Sequence, residues 1–71
     1  MITFTQLHYY LEVAKQKSFT KAANNLYITQ QTLSNHISTI EQTLGAKLFE
    51  RTTPLKLTYA GERFLDYANR L

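Results

Sequence analysis

The chain has 71 residues, 44% of them hydrophobic and 13% aromatic, and its eight Lys and Arg against five Asp and Glu give a net charge of +3. That is enough apolar side chain for one small core, and the absence of cysteine leaves no disulfide or thiolate metal site to support it. No stretch nears the roughly 20 apolar residues that span a bilayer, the start MITFTQLHYY lacks the basic segment and apolar run of a secretory signal, and the mild positive charge favours a nucleic-acid partner without establishing one.

In chain order, Thr3 and Gln6 form a capping-box pair with Ile2 and Leu7 as a hydrophobic staple around it, so a first helix starts near Phe4. Phe4, Leu7, Leu11 and Ala14 recur at three- and four-residue steps, and Tyr10 widens that stripe. Lys15, Gln16 and Lys17 place cations at the negative end of the helix. His8 has no Cys, Asp or second His at ligand spacing and reads as a surface side chain.

From Ser18 to Gly45 the pattern is a short helix, a tight turn and a longer helix. Ser18 caps the first of these. Phe19, Ala22, Ala23 and Leu26 form its apolar stripe, the two alanines small enough to let a crossing helix come close. Lys21 lies in its exposed first turn, where a lysine can meet a phosphate or simply stay solvated. Tyr27 and Ile28 break the pattern, Thr29 caps the next helix, and Ile28 with Leu33 forms a second staple. Leu33, Ile37, Ile40 and Leu44 continue the stripe to Gly45, the expected left-handed stop.

The opposite face of that longer helix carries Gln31, Asn35, Ser38 and Gln42, flanked by Ser34 and Thr39. Between Gln30 and Leu44 there is no Lys or Arg, and Glu41 is the single charge. A solvated helix face ordinarily carries more charge. Amides that donate and accept suit base edges in a major groove, where Asn or Gln pairs with adenine through two hydrogen bonds. Plain polar surface is the alternative. His36, on the flank, is placed either against the duplex or in solvent.

After Gly45, Lys47–Arg51 and Leu55–Leu57 are two short alternating runs around Thr52, Thr53 and Pro54, which predicts a β-hairpin with Leu and Phe inward and Lys and Arg outward. Thr58 caps a last helix in which Phe64, Ala68 and Leu71 share a face, extended by Leu65 and Tyr67. They cannot all face inward, so some are expected to pair with a partner helix. No Gly, Pro or polar tail ends this helix, which predicts a domain cut from a longer protein.

The run from Phe19 to Leu44, with SFTKAA and IEQTLG, followed by LFER at Leu48–Arg51 and LTYAGE at Leu57–Glu62, resembles the N-terminal DNA-binding domain of LysR-type transcriptional regulators. The likeness covers nearly the whole chain, from QLHYYLEVA onward. The family commonly has a proline or small residue where Gln31 stands and a basic residue where Asn35 stands. The resemblance implies a mostly α winged helix-turn-helix fold: a three-helix core, a short β-hairpin wing and a C-terminal linker helix, with the DNA-binding domain over 1–58 and the linker from 59 to 71.

It also implies a double-stranded DNA operator as partner, with the helix over 30–44 in the major groove. Base readout then falls to Gln30, Gln31, Ser34, Asn35 and Ser38, and backbone or minor-groove contact to Lys21, Thr29, Arg51 and Lys56. Dimerisation falls to Phe64, Leu65, Tyr67, Ala68 and Leu71, giving a homodimer that is weak in this fragment, or a tetramer in the full-length protein. A small-molecule effector is expected only for a further domain. A cytoplasmic location is expected; a cofactor, a metal and a membrane are not. An enzyme is disfavoured because no nucleophile, base and orienter stand at suggestive spacing and no Gly-rich phosphate loop is present. A module used only for protein contact would carry an apolar patch where Gln31, Asn35 and Ser38 stand.

Overall fold

A computed structural model describes residues 1–71. Every helix begins where a hydroxyl side chain can accept an orphan amide. Helix α1 (Phe4–Gln16) opens with the reciprocal Thr3–Gln6 box. Helix α2 (Phe19–Leu26) is capped by Ser18, α3 (Gln30–Leu44) by Thr29 and α4 (Tyr59–Asn69) by Thr58. Between α3 and α4, β1 (Phe49–Glu50) and β2 (Lys56–Leu57) pair antiparallel, with Phe49 opposite Leu57 and Glu50 opposite Lys56. The hairpin is shorter than its sequence pattern because only two residues on each side pair. No helix is long and apolar enough to cross a membrane.

The ends of the helices explain the tight turn. Gly45 takes the left-handed conformation at φ 71°, as its position after the last stripe residue requires. Lys17 and Tyr27 adopt the same conformation without being glycine, at φ 52° and 58°. At Tyr27 two amides close the turn, Tyr27 N–H donating to the Asn24 carbonyl and Ile28 N–H to the Ala23 carbonyl. The side chain of Tyr27 itself is left in solvent.

The core gathers Tyr10, Val13 and Ala14 of α1, Ala22 and Ala23 of α2, Leu33, Ile37 and Ile40 of α3, Leu48 and Phe49 of the wing, and Phe64 of α4. Helix α4 therefore adds to the three-helix core rather than standing off from it, and Ala68 is buried beside Phe64. Two stripe residues depart from expectation. Phe4 is 84% exposed and Leu44 is 44% exposed, because each is the terminal residue of its helix and overhangs the packed body.

Tyr10 is the hub. Its ring meets Phe49 at 5.3 Å and Phe64 edge-on at 4.9 Å, and its hydroxyl donates to the Gly61 carbonyl. Burial pushes its phenol well above the ordinary 10.0, and the charge of Glu62 adds to the effect. The neutral form is the one the fold favours. Its contribution to stability is therefore complete below the unfolded value and is lost as pH rises above about 10. Denaturant titrations on either side of that pH should show a steeper alkaline loss in the wild type than in Tyr10→Phe; equal losses would place the alkaline sensitivity in the exposed tyrosines.

Candidate nucleic-acid interface

Helix α3 keeps its apolar stripe inward through Leu33, Ile37 and Ile40, which turns Gln30, Gln31 and Asn35 to solvent. Gln31 and Asn35 lie one turn apart and are joined, Gln31 Nε2 donating to Asn35 Oδ1 at 2.9 Å. The pair is thus held as one amide surface with its other donors and acceptors free. Thr29 is occupied: its hydroxyl accepts the Thr32 amide and donates to the Thr32 hydroxyl. Ser34 is half-buried and accepts from Arg51 Nη1 at 2.6 Å.

Gln30, Gln31, Ser34 and Arg51 surround one cleft of about 300 Å³ floored by Phe19. Ser38 does not belong to it; it lines a separate depression with Glu41, Gln42, Gly45, Ala46 and Lys47, nearer the base of the wing. Of the expected cations, Lys21 is exposed on α2, and Lys56 is exposed on β2 opposite Glu50. Lys56 shares a depression of about 290 Å³ with Lys17. Lys17 was not among the sequence candidates, since only the folded hairpin brings it near the wing.

Three further residues have roles that the sequence did not foresee. Glu41, the one charge on α3, is only 5% exposed. Its Oε2 accepts the Leu48 amide at 2.8 Å, while its main-chain carbonyl accepts the amides of Gly45 and Ala46. It therefore closes the turn that carries the chain from α3 into the wing. A signal was present, because Glu41 stands four residues after Ile37, close to the apolar stripe. His36 is half-buried, and its ring meets Tyr9 edge-on at 5.0 Å, bracing α3 against α1. Glu12 does similar work between α1 and α2. It accepts from Asn25 at 3.0 Å and Gln16 at 2.8 Å, bonds that hold its carboxyl below the usual range, Asn25 foremost.

The five dimerisation candidates separate by burial. Phe64 and Ala68 are spent in the chain's own core and Leu65 is half-buried against it, whereas Tyr67 and Leu71 are 56% and 65% exposed. Tyr67 and Leu71 meet Met1, Ile2, Phe4 and Leu7 around an apolar depression of about 620 Å³, which none of the base-readout candidates lines.

A helix pair set by a tight turn, an outward amide face and a short hairpin beside it define a winged helix-turn-helix domain. Residues 4–62 match the profile of the bacterial regulatory helix-turn-helix proteins of the lysR family, and the chain belongs to that family. It is 45% identical over 67 residues to the HTH-type transcriptional regulator TfdT of Cupriavidus pinatubonensis, covering 93% of this chain and 29% of that one. To BenM of Acinetobacter baylyi it is 44% identical over 66 residues, covering 92% and 22%. Among solved structures it is similar to the BenM DNA-binding domain in complex with catB site 1 DNA, with a TM-score of 0.91 and 40% identity over 96% of this chain and 78% of that one. It is similar also to the CbnR DNA-binding domain in complex with DNA, with a TM-score of 0.90 and 35% identity over 96% and 79%. The chain thus spans less than a third of the length of these curated regulators.

Proposed function

We propose that this chain is the sequence-reading DNA-binding domain of a bacterial regulator, placing α3 in the major groove and the wing along the minor groove or backbone. The observation that carries the reading is the outward face of α3, where Gln30, Gln31 and Asn35 are exposed and no cation is present. Such a face has little electrostatic attraction for phosphate and much hydrogen-bonding capacity for base edges. The DNA complexes of the BenM and CbnR domains support it. We place this role in the cytoplasm, and it needs neither cofactor nor catalysis.

Gln31 and Asn35 read bases as a joined pair, with Gln30 and Ser34 at the cleft beside them and Ser38 farther along the helix. The Thr29 hydroxyl serves its cap, leaving its backbone as the part that faces phosphate. Lys21 and Lys56 supply phosphate contacts. Affinity can be followed on a duplex selected from a randomised pool by the wild-type chain and on a scrambled duplex. Gln31→Ala or Asn35→Ala should cost on the order of 1–3 kcal/mol on the selected duplex only. Lys21→Ala or Lys56→Ala should weaken both duplexes alike and lower the logarithmic salt slope by about 1. Equal losses of the amide variants on both duplexes would move Gln31 and Asn35 to backbone positioning.

A helix of this length covers few base pairs, so two copies on a pseudo-palindromic site complete the reading. Tyr67 and Leu71, with Met1 and Phe4 beside them, are the surface we assign to that pairing, while Leu65 packs against the chain's own core. The pairing is weak in a chain of this length and is strengthened by a duplex carrying two half-sites. Effector sensing and a tetramer are proposed only for a longer protein that contains this domain.

A further inference from the structure

Arg51, immediately after β1, is in the sequence a wing cation available to DNA. In the fold it is already engaged on two sides. Its Nη1 donates to Ser34 Oγ on α3 at 2.6 Å, and its guanidinium lies 4.4 Å from the centre of the Phe19 ring on α2. Phe19 in turn meets Phe49 of β1 edge-on at 5.8 Å. One side chain therefore joins the wing to both helices of the helix-turn-helix. The planar fork suits this: one nitrogen donates to the hydroxyl while the guanidinium carbon sits over the ring, a pairing a compact ammonium reproduces poorly.

We infer that Arg51 is a positioning residue, a clasp that fixes the wing relative to the recognition helix before DNA arrives, and so governs discrimination between sequences rather than general affinity. The inference rests on the DNA-binding reading above. The wing has only two paired residues on each side, too little ladder to hold its own angle. Phe49 anchors its base in the core, Leu55 and Leu57 pack against that core, Glu41 fixes its approach from α3, and Arg51 adds the side-chain tie to α2 and α3, next to the Thr52–Leu55 turn. A wing held at the right angle lets α3 and the hairpin engage their grooves together, whereas a swinging wing must be ordered on binding. A sequence-independent contact tolerates that swing better than base readout does.

The test is fluorescence anisotropy over a salt series with the selected and scrambled duplexes, using the wild type, Arg51→Gln, Arg51→Lys, Phe19→Leu and Phe19→Leu/Arg51→Gln, with folding checked by circular dichroism. Arg51→Gln should weaken the selected duplex roughly tenfold, the order of one charge-assisted hydrogen bond, and leave the scrambled duplex and the salt slope unchanged. Arg51→Lys, which keeps the charge and loses the fork, should not rescue. The double variant should be no weaker than the worse single one. In the unbound protein, amide shifts of Thr52, Thr53 and Leu55 should move in Arg51→Lys. A direct phosphate contact would instead make Arg51→Gln weaken both duplexes with a slope lower by about 1, and Arg51→Lys restore binding; that result overturns the clasp. Unchanged preference in Arg51→Gln also overturns it. A wild type with no preference for its selected duplex removes the sequence-reading function itself, and the clasp with it.

Discussion

Gly61→Ala should be the most damaging small substitution in the chain. A Cβ at Gly61 would lie 2.0 Å from the Leu48 carbonyl oxygen and 3.1 Å from the Leu57 side chain. The first neighbour is backbone, so relief requires α4 to move away from the wing. That movement would strain the Tyr10 hydroxyl's bond to the Gly61 carbonyl and the Thr58 cap that accepts the Gly61 amide. Overpacking against immovable atoms costs about 3 kcal/mol or more, a large share of the roughly 4–10 kcal/mol a domain of this size has. The melting temperature should fall by more than about 12 °C. Gly45→Ala is the control: nothing lies within 4 Å of its added Cβ, so only the left-handed backbone opposes it, at about 1 kcal/mol. Comparable losses at the two glycines would show that the contact with Leu48 is not tight.

Glu41→Ala should follow, with a loss of about 2 kcal/mol from the amide of Leu48 left buried without its acceptor and from the small void. Lys47, 80% exposed and 3.8 Å from Oε1, contributes little to this. Glu41→Gln keeps an acceptor for Leu48 and should lose less than Glu41→Ala in urea denaturation. Equal losses would assign Glu41 a packing role. The difference matters for function because the Glu41–Leu48 bond sets where the wing leaves α3.

How much of this could be read beforehand varies with the range of the interaction. The caps at Thr3, Ser18, Thr29 and Thr58 and the stop at Gly45 are local in sequence, and each stands where its residue type predicts. The amide face of α3 follows from periodicity alone. The stops at Lys17 and Tyr27 were invisible because neither is glycine; surrounding hydrogen bonds hold them left-handed. Phe4 and Leu44 fit the stripe by angle and miss the core by height along the helix axis. The engagement of Arg51 with Ser34 spans 17 residues and that of Tyr10 with Gly61 spans 51. Such pairings are set by how α2, α4 and the wing converge, and no spacing rule in a single sequence reports them.

The central claim, that α3 reads DNA with the wing beside it, is tested most directly by titrating the isotope-labelled chain with its selected duplex and following backbone amide signals. The largest shifts should fall on Gln30–Ser38 and on the Arg51–Lys56 turn, with Lys21 also responding. Met1–Phe4 and Tyr67–Leu71 should respond only on a duplex with two half-sites. Shifts centred on the Met1, Phe4 and Tyr67 face with a single half-site, leaving Gln31 and Asn35 unmoved, would contradict the account.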